Sequence, residues 1–370
     1  DELLSLYDDD EEGWYWRAQL AQATDGSLAA VPYYKSLLRV NPLHSGAHHE
    51  LVHIYEGLQR PALGWQHALG YMESTPGIAH AFHMQSHLSM RIGKWDKTCD
   101  WALHAVEMEQ AYHKEVGIKA SEDDQYPHHL ETLTIALIHD GRYAEAERIR
   151  KIAESMKLKQ LGTWFRLTLA EENWPAALAL VDLMRRDKAT QSYMRAVVYL
   201  RKGKPTRAAA EIDVLRELYS RKRNDKELEI RLWETQGEWM VQSGQIDGGL
   251  KLLKKIIDAT KDDYRNHSWG HGGYYMERWG IAALRAGRLE VAEEAFLEAL
   301  AHDSRSVVGA VGMRVVCERQ HRTEEAGHFA DLAIRCWPKA DAGKLDHLLE
   351  SLRTVRAPSI VTAIREENTR

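Results

Sequence analysis

Along the chain, small and large apolar positions return in a fixed order around short polar turns. The clearest instance runs through Trp279-Gly280, Gly287-Arg288-Leu289, Ala292, Phe296, Ala299 and Ser304. Steps of three and four between its apolar members describe helix rather than strand, so two short antiparallel helices with a tight turn at Gly287 are predicted. The same order recurs as Gly93-Lys94-Trp95 with Thr98, Ala102 and Ala105, and as Gly141-Arg142-Tyr143 with Ala146. Weaker copies pass through Trp174 with Ala177, Gly203 with Ala208, Gly244 with Gly249, and His321 with Ala326. A repeat settles architecture before any local assignment does, and this one predicts an all-α array of about eight helix pairs with few or no strands.

Proline placement agrees. Pro42, Pro61, Pro76, Pro127, Pro175, Pro205 and Pro338 all fall between the expected helices or at their starts, where a missing amide donor is tolerated. No alternating apolar–polar run competes, which argues against a hidden α/β nucleotide fold. The segment around Gly287 resembles the tetratricopeptide repeat. That resemblance implies an α-α superhelix in which the first helix of each pair lines a concave groove and the second packs outside. Residues 1–357 are expected to form one such domain, with a histidine-rich part over 41–150. Residues 358–370 are expected to be a tail or a last helix.

Composition narrows the function classes. The 370 residues carry 49 Lys and Arg against 55 Asp and Glu, a net charge of −6, and pI is about 6.4. Neither nucleic acid nor anionic lipid is attracted globally by such a balance. Mean hydropathy is −0.49, and no apolar stretch approaches the roughly 18 residues needed to span a bilayer. Cys99, Cys317 and Cys336 are far apart and offer neither a disulfide framework nor a thiolate zinc site. The chain begins at Asp1 without a methionine, inside a helical repeat; a cytoplasmic setting is the expectation.

Histidine is distributed unevenly: 13 of the 19 lie between His44 and His139. Positions thirteen, ten and six before a turn glycine share one helix face, and in repeats of this kind that face looks into the groove. From Gly93 they are His80, His83 and His87; from Gly141 the first is His128, followed by His129. In the preceding repeat Gln59 stands at the turn position, which places His49, His53 and Glu56 on the same face. Two His pairs one turn apart on neighbouring first helices can close around one or two metal ions, with His128 or His129 beside them. Imidazole with a carboxylate suits zinc, iron, manganese, copper or nickel. A metalloenzyme acting on a small molecule or peptide is therefore one reading. The alternative is a metal-free groove that binds a peptide or protein partner.

His49-Glu50-Leu51-Val52-His53 also spells H-E-x-x-H, the helix motif in which two His bind zinc and Glu activates water. Glu50 lies about 100° around the helix from His49, which makes it the weaker candidate beside Glu56 and leaves zinc hydrolysis as a second alternative. The histidine segments resemble a histidine-rich bacterial subfamily of tetratricopeptide-repeat proteins. Its members carry a His-x-x-x-His-x-x-Glu helix, a Gly-His-x-x-His-Met-x-x-His stretch and a Tyr-x-x-His pair. Here these are met by His49, His53 and Glu56, by His80, His83, Met84 and His87, and by Tyr126 and His129. The resemblance runs from about Asn41 to Arg150 and is generic beyond. It implies the fold and the site, and it leaves the activity open. In related sequences the place of Glu50 is often aromatic. No G-x-S-x-G elbow, phosphate loop or dinucleotide fingerprint is present. Arg166, Tyr193, Glu234 and Glu238 are expected to continue the groove wall, Arg166 as a carboxylate clamp, with His267 and His271 reaching in from the loop before Tyr274.

Overall fold

The computed structural model describes residues 1–184, 187–263 and 272–354, and every regular element among them is helical. A short α1 (Glu2–Leu6) precedes the pairs α2 (Glu11–Asp25) with α3 (Ser27–Val40), α4 (Ser45–Gly57) with α5 (Pro61–Ser74), and α6 (Ala79–Arg91) with α7 (Trp95–Val116). Next come α8 (Tyr126–His139) with α9 (Tyr143–Ser155), α10 (Leu161–Ala170) with α11 (Trp174–Leu183), and α12 (Lys188–Arg201) with α13 (Pro205–Arg221). The last pairs are α14 (Lys226–Gln242) with α15 (Ile246–Thr260), α16 (Tyr274–Arg285) with α17 (Leu289–His302), and α18 (Val307–Arg319) with α19 (Thr323–Cys336); α20 (Lys344–Thr354) closes the described chain. Nine pairs stand among the described residues against the eight expected. The additional one, α2 with α3, turns at Gly26 without the glycine–aromatic–alanine order seen at Gly93 and Gly141. The tail over 358–370 lies outside the described residues. Among those described, no helix is long and apolar enough to cross a membrane.

Two compact units divide the chain. One comprises Asp1–Ala136 with Ile152–Leu158, the other Leu137–Lys151 with the chain from Lys159 onward. In the first, Ala18, Ala30 and Ala47 pack against Tyr34, Leu37, Leu51 and Tyr55, and Ala68 and Ala81 against Val52, Met72, Met84 and Leu88. The small residues let helix axes approach and the large ones fill the space between, as native packing density requires. The turn between paired helices takes a left-handed residue whether or not it is glycine. Gly93, Gly141, Gly203, Gly244 and Gly287 adopt it, and so do Gln59 (φ 60°), Glu172 (57°) and His321 (61°).

In the second unit Phe296 is fully buried between two glycines. A Cβ on Gly280 or Gly312 would stand 2.6 or 2.5 Å from its ring, so the Phe296 ring fits against α16 and α18 only because those side chains are absent. The same unit contains a clasp between segments far apart in sequence. Trp337, just past α19, donates its indole N–H to the carbonyl of His139 at 2.6 Å. Asp341 donates its N–H to the Gly141 carbonyl at 3.0 Å and accepts the Ala144 N–H at 2.8 Å. Tyr143 meets Trp337 edge-on, ring centroids 6.2 Å apart. A plain repeat stack has contacts between neighbours only; this unit adds one between its ends.

Candidate metal centre

His44 caps α4, its Nδ1 accepting the Ala47 N–H at 3.1 Å, and the helical winding that follows sets His49 and His53 one above the other. On α6 the same winding aligns His80, His83 and His87. α4 and α6 are the first helices of adjacent pairs and touch directly, so the two rows meet. His49 Nε2 lies 3.1 Å from His53 Nε2 and 3.3 Å from His80 Nε2. A ring nitrogen carries either a proton or a lone pair, so His49 Nε2 can make only one good hydrogen bond to the other two. A metal ion bound between the rings would resolve that conflict. Bonds of about 2.0–2.1 Å to imidazole would put tetrahedral nitrogens roughly 3.3–3.4 Å apart and octahedral neighbours roughly 3.0 Å apart. The two separations at His49 Nε2 lie in that range.

His83, His87 and His128 form a second triad, and in each triad one nitrogen per ring lies within 4.8 Å of the others. Their ring centroids are 4.3, 4.6 and 5.5 Å apart. The triads adjoin, with the His80 and His83 rings 5.8 Å apart. Exposure separates them: His53 is exposed and His49 and His80 half-buried, whereas His83 is 1 % exposed. His83 Nδ1 has no hydrogen-bond partner among the described residues. Burial lowers the pKa of His49, assisted by neighbouring His53. Burial and then adjoining imidazoles push His80 and His128 down to about 4, and hold His83 well below its ordinary value. These rings are neutral at pH 7, the state in which imidazole binds metal.

Glu56, expected beside His49 and His53, faces the second triad. It pairs with Arg91 and lies 3.5 Å from His87 Nδ1. Burial works against its charge, but the hydrogen bond and charge of His87, with Arg91, outweigh burial and bring its pKa down to about 2. One turn beyond His53, α4 has reached the level of the last turn of α6, and Arg91 is the cation there. A carboxylate on Nδ1 orients a histidine ring for ligation through Nε2, so Glu56 is a positioning residue for His87. His129, 1 % exposed, stacks on His83 with centroids 3.9 Å apart. Its Nδ1 stands 2.8 Å from Glu109 Oε2, off the line of a formed hydrogen bond. Glu50 lies on another side of α4, where burial and then the Glu50 charge raise the pKa of Tyr15 and Tyr34.

Two residues near the triads were not anticipated. Glu109 is supplied by α7, which runs 22 residues to a left-handed Gly117; the unbroken helical pattern after Ala105 was the available signal. Tyr71 of α5 lies against His49, ring centroids 5.2 Å apart, and nothing local in the sequence marks it. Other histidines have structural partners. His48 lies 3.3 Å from His67 and 2.9 Å from the Pro42 carbonyl, and His113 lies 2.7 Å from Asp123.

Comparison with solved structures identifies the architecture. A tetratricopeptide repeat protein from Parabacteroides merdae superposes with a TM-score of 0.54 at 14 % identity, covering 70 % of this chain and 96 % of that one. The fold is the tetratricopeptide-repeat fold. Yeast Tom70 gives a TM-score of 0.36 at 12 % identity over 96 % of this chain and 99 % of that one. The tetratricopeptide-repeat domain of P58(IPK) gives 0.25 at 12 % identity over 98 % and 100 %. No family profile matches the sequence, and no curated protein matches it.

In the second unit the tetratricopeptide-repeat first helices carry a buried network. Tyr193 and Tyr274 donate to Glu234 at 2.8 and 2.7 Å, and Arg278 holds Glu238 by two bonds of 2.6 and 2.7 Å. Tyr193, Glu234 and Glu238, expected to face a ligand, thus satisfy one another and their neighbours. Arg166 lies near His139, whose pKa falls to about 3 through burial and then the Arg166 charge. His267 and His271 lie outside the described residues. Glu277 accepts the Ser306 hydroxyl at 2.6 Å, and burial lifts its pKa from 4.5 to about 7. Its contribution to stability is therefore complete below pH 4.5 and is lost as pH rises through about 7. The variant Glu277→Gln, whose amide oxygen can accept the same bond, is expected to melt higher than wild type at pH 8 and alike at pH 4. Each kcal/mol is worth about 2–4 °C in a unit of this size. A thermal scan at the two pH values checks it, and equal melting at both would show that Glu277 is not strained by ionisation.

Proposed function

We propose that this tetratricopeptide-repeat scaffold binds one or two first-row transition-metal ions through the histidines of α4, α6 and α8. The observation that supports the reading is the meeting of His49, His53 and His80 at Nε2 separations of 3.1 and 3.3 Å, with a second triad adjoining it. Neutral nitrogen donors without a carboxylate favour zinc, copper or nickel over manganese. Three protein ligands leave coordination positions open, as in centres that act on a bound molecule rather than closed structural ones.

The expected result is near-stoichiometric metal in the purified protein by elemental analysis. Chelation should then lower the melting temperature, because an ion that binds only the folded state stabilises it. Metal-free protein whose melting is unmoved by added zinc, copper or nickel would overturn the reading. That outcome would favour a second one, a metal-free scaffold for a peptide or protein. Its support is the fold, since stacked repeats build extended binding surfaces from their first helices.

A further inference from the structure

We infer that the two triads have different roles: His83, His87 and His128 hold a resident ion, while His49, His53 and His80 present an exchangeable ion to a small oxyanion, a carboxylate or a phosphate. The inference rests on the metal reading above and adds to it an order of binding and a ligand class.

Preorganisation separates the triads. In the second, the Glu56–Arg91 pair orients His87, and buried His83 is held in a stack with His129. An ion entering there finds its ligands already placed. In the first, His53 is exposed and the Nε2 contacts of His49 are to the other two histidines of the triad. Orienting partners of the Glu56 kind are worth about 10- to 100-fold in metal affinity, so the second triad fills first.

Charge decides the ligand. Neither triad includes a carboxylate, and the nearby carboxylate of Glu56 is already offset by Arg91. An ion on the first triad therefore keeps its full positive charge beside a second ion of the same sign. Its open side, marked by exposed His53, is where an anion can supply the missing charge. Tyr71 limits the space on the inner side, its ring centroid 5.2 Å from His49 and 6.5 Å from His80. A compact oxyanion fits that combination better than a neutral or bulky ligand.

The test is a cobalt(II) titration of the full protein freed of metal by a chelator, followed by its visible spectrum. The first equivalent should bind about 10- to 100-fold more tightly than the second, and its spectrum should ignore millimolar acetate or inorganic phosphate. The spectrum of the second equivalent should shift with either; a response to one alone identifies which oxyanion class the site takes. His53→Ala, on an exposed position, should bind a single equivalent and lose the anion response, and His49→Ala should do the same. An anion response at the first equivalent, no response at two, or a response that survives in both variants would overturn the inference while leaving metal binding intact. Failure to bind cobalt at all would overturn the metal reading and this inference with it.

Discussion

The double variant His53→Ala with His87→Ala is expected to lose metal from both triads while keeping its helix content. Each substitution removes one of three ring nitrogens, one from the triad on α4 and α6 and one from that on α6 and α8. Structural zinc sites bind with about 10–16 kcal/mol spread over four ligands, which puts one imidazole at roughly 3 kcal/mol, or more than about 100-fold in affinity. Alanine is the best helix former, and the cores around these helices are built by Leu51, Val52, Met84 and Leu88, which the variant leaves untouched. Elemental analysis and circular dichroism read the two halves of the expectation. Full metal occupancy in a folded double variant would show that the triads are not the site.

The second large effect lies in the other unit. Trp337→Ala removes a nearly buried indole that donates to the His139 carbonyl and meets Tyr143. Truncating a buried Trp typically costs about 3–5 kcal/mol, and the loss should appear in urea unfolding as a lower midpoint. Gly141→Ala attacks the same clasp from the other side. Gly141 adopts φ +73°, and a Cβ there would stand 2.8 Å from Ala340 and 2.9 Å from Trp337. Overpacking of this kind costs about 1–3 kcal/mol. If Trp337→Ala lost less than about 1 kcal/mol, the clasp would be a contact without energetic consequence.

Much of the fold was legible because repeat signals are local. The order Gly287, Leu289, Ala292, Phe296 and Ala299 sets a turn and a helix face within a single pair. The turn position assigned to Gln59 lacks glycine, and it still takes the left-handed backbone that glycine takes elsewhere. The pair α2 with α3 escaped because its turn at Gly26 does not share that order. The histidine rows were legible for the same local reason: winding of 3.6 residues per turn puts i, i+3, i+4 and i+7 on one side.

Register between helices is another matter, and it decided the chemistry. Whether His49 meets His80, 31 residues away, or Glu56 meets Arg91, 35 away, depends on how far one first helix slides along the next, and no local periodicity encodes that shift. The sequence by itself determined an all-α repeat and which side chains share a face. Only the tertiary structure sorted those side chains into two triads and withdrew Glu56 to orient His87. It also brought Glu109 to His129 from an extended α7, bonded Tyr193 to Glu234 and Arg278 to Glu238, and joined Trp337 to His139 across 198 residues. The physical reason is one of range: helix faces follow from the dihedral angles of neighbouring residues, whereas these contacts arise from the packing of whole helices against one another.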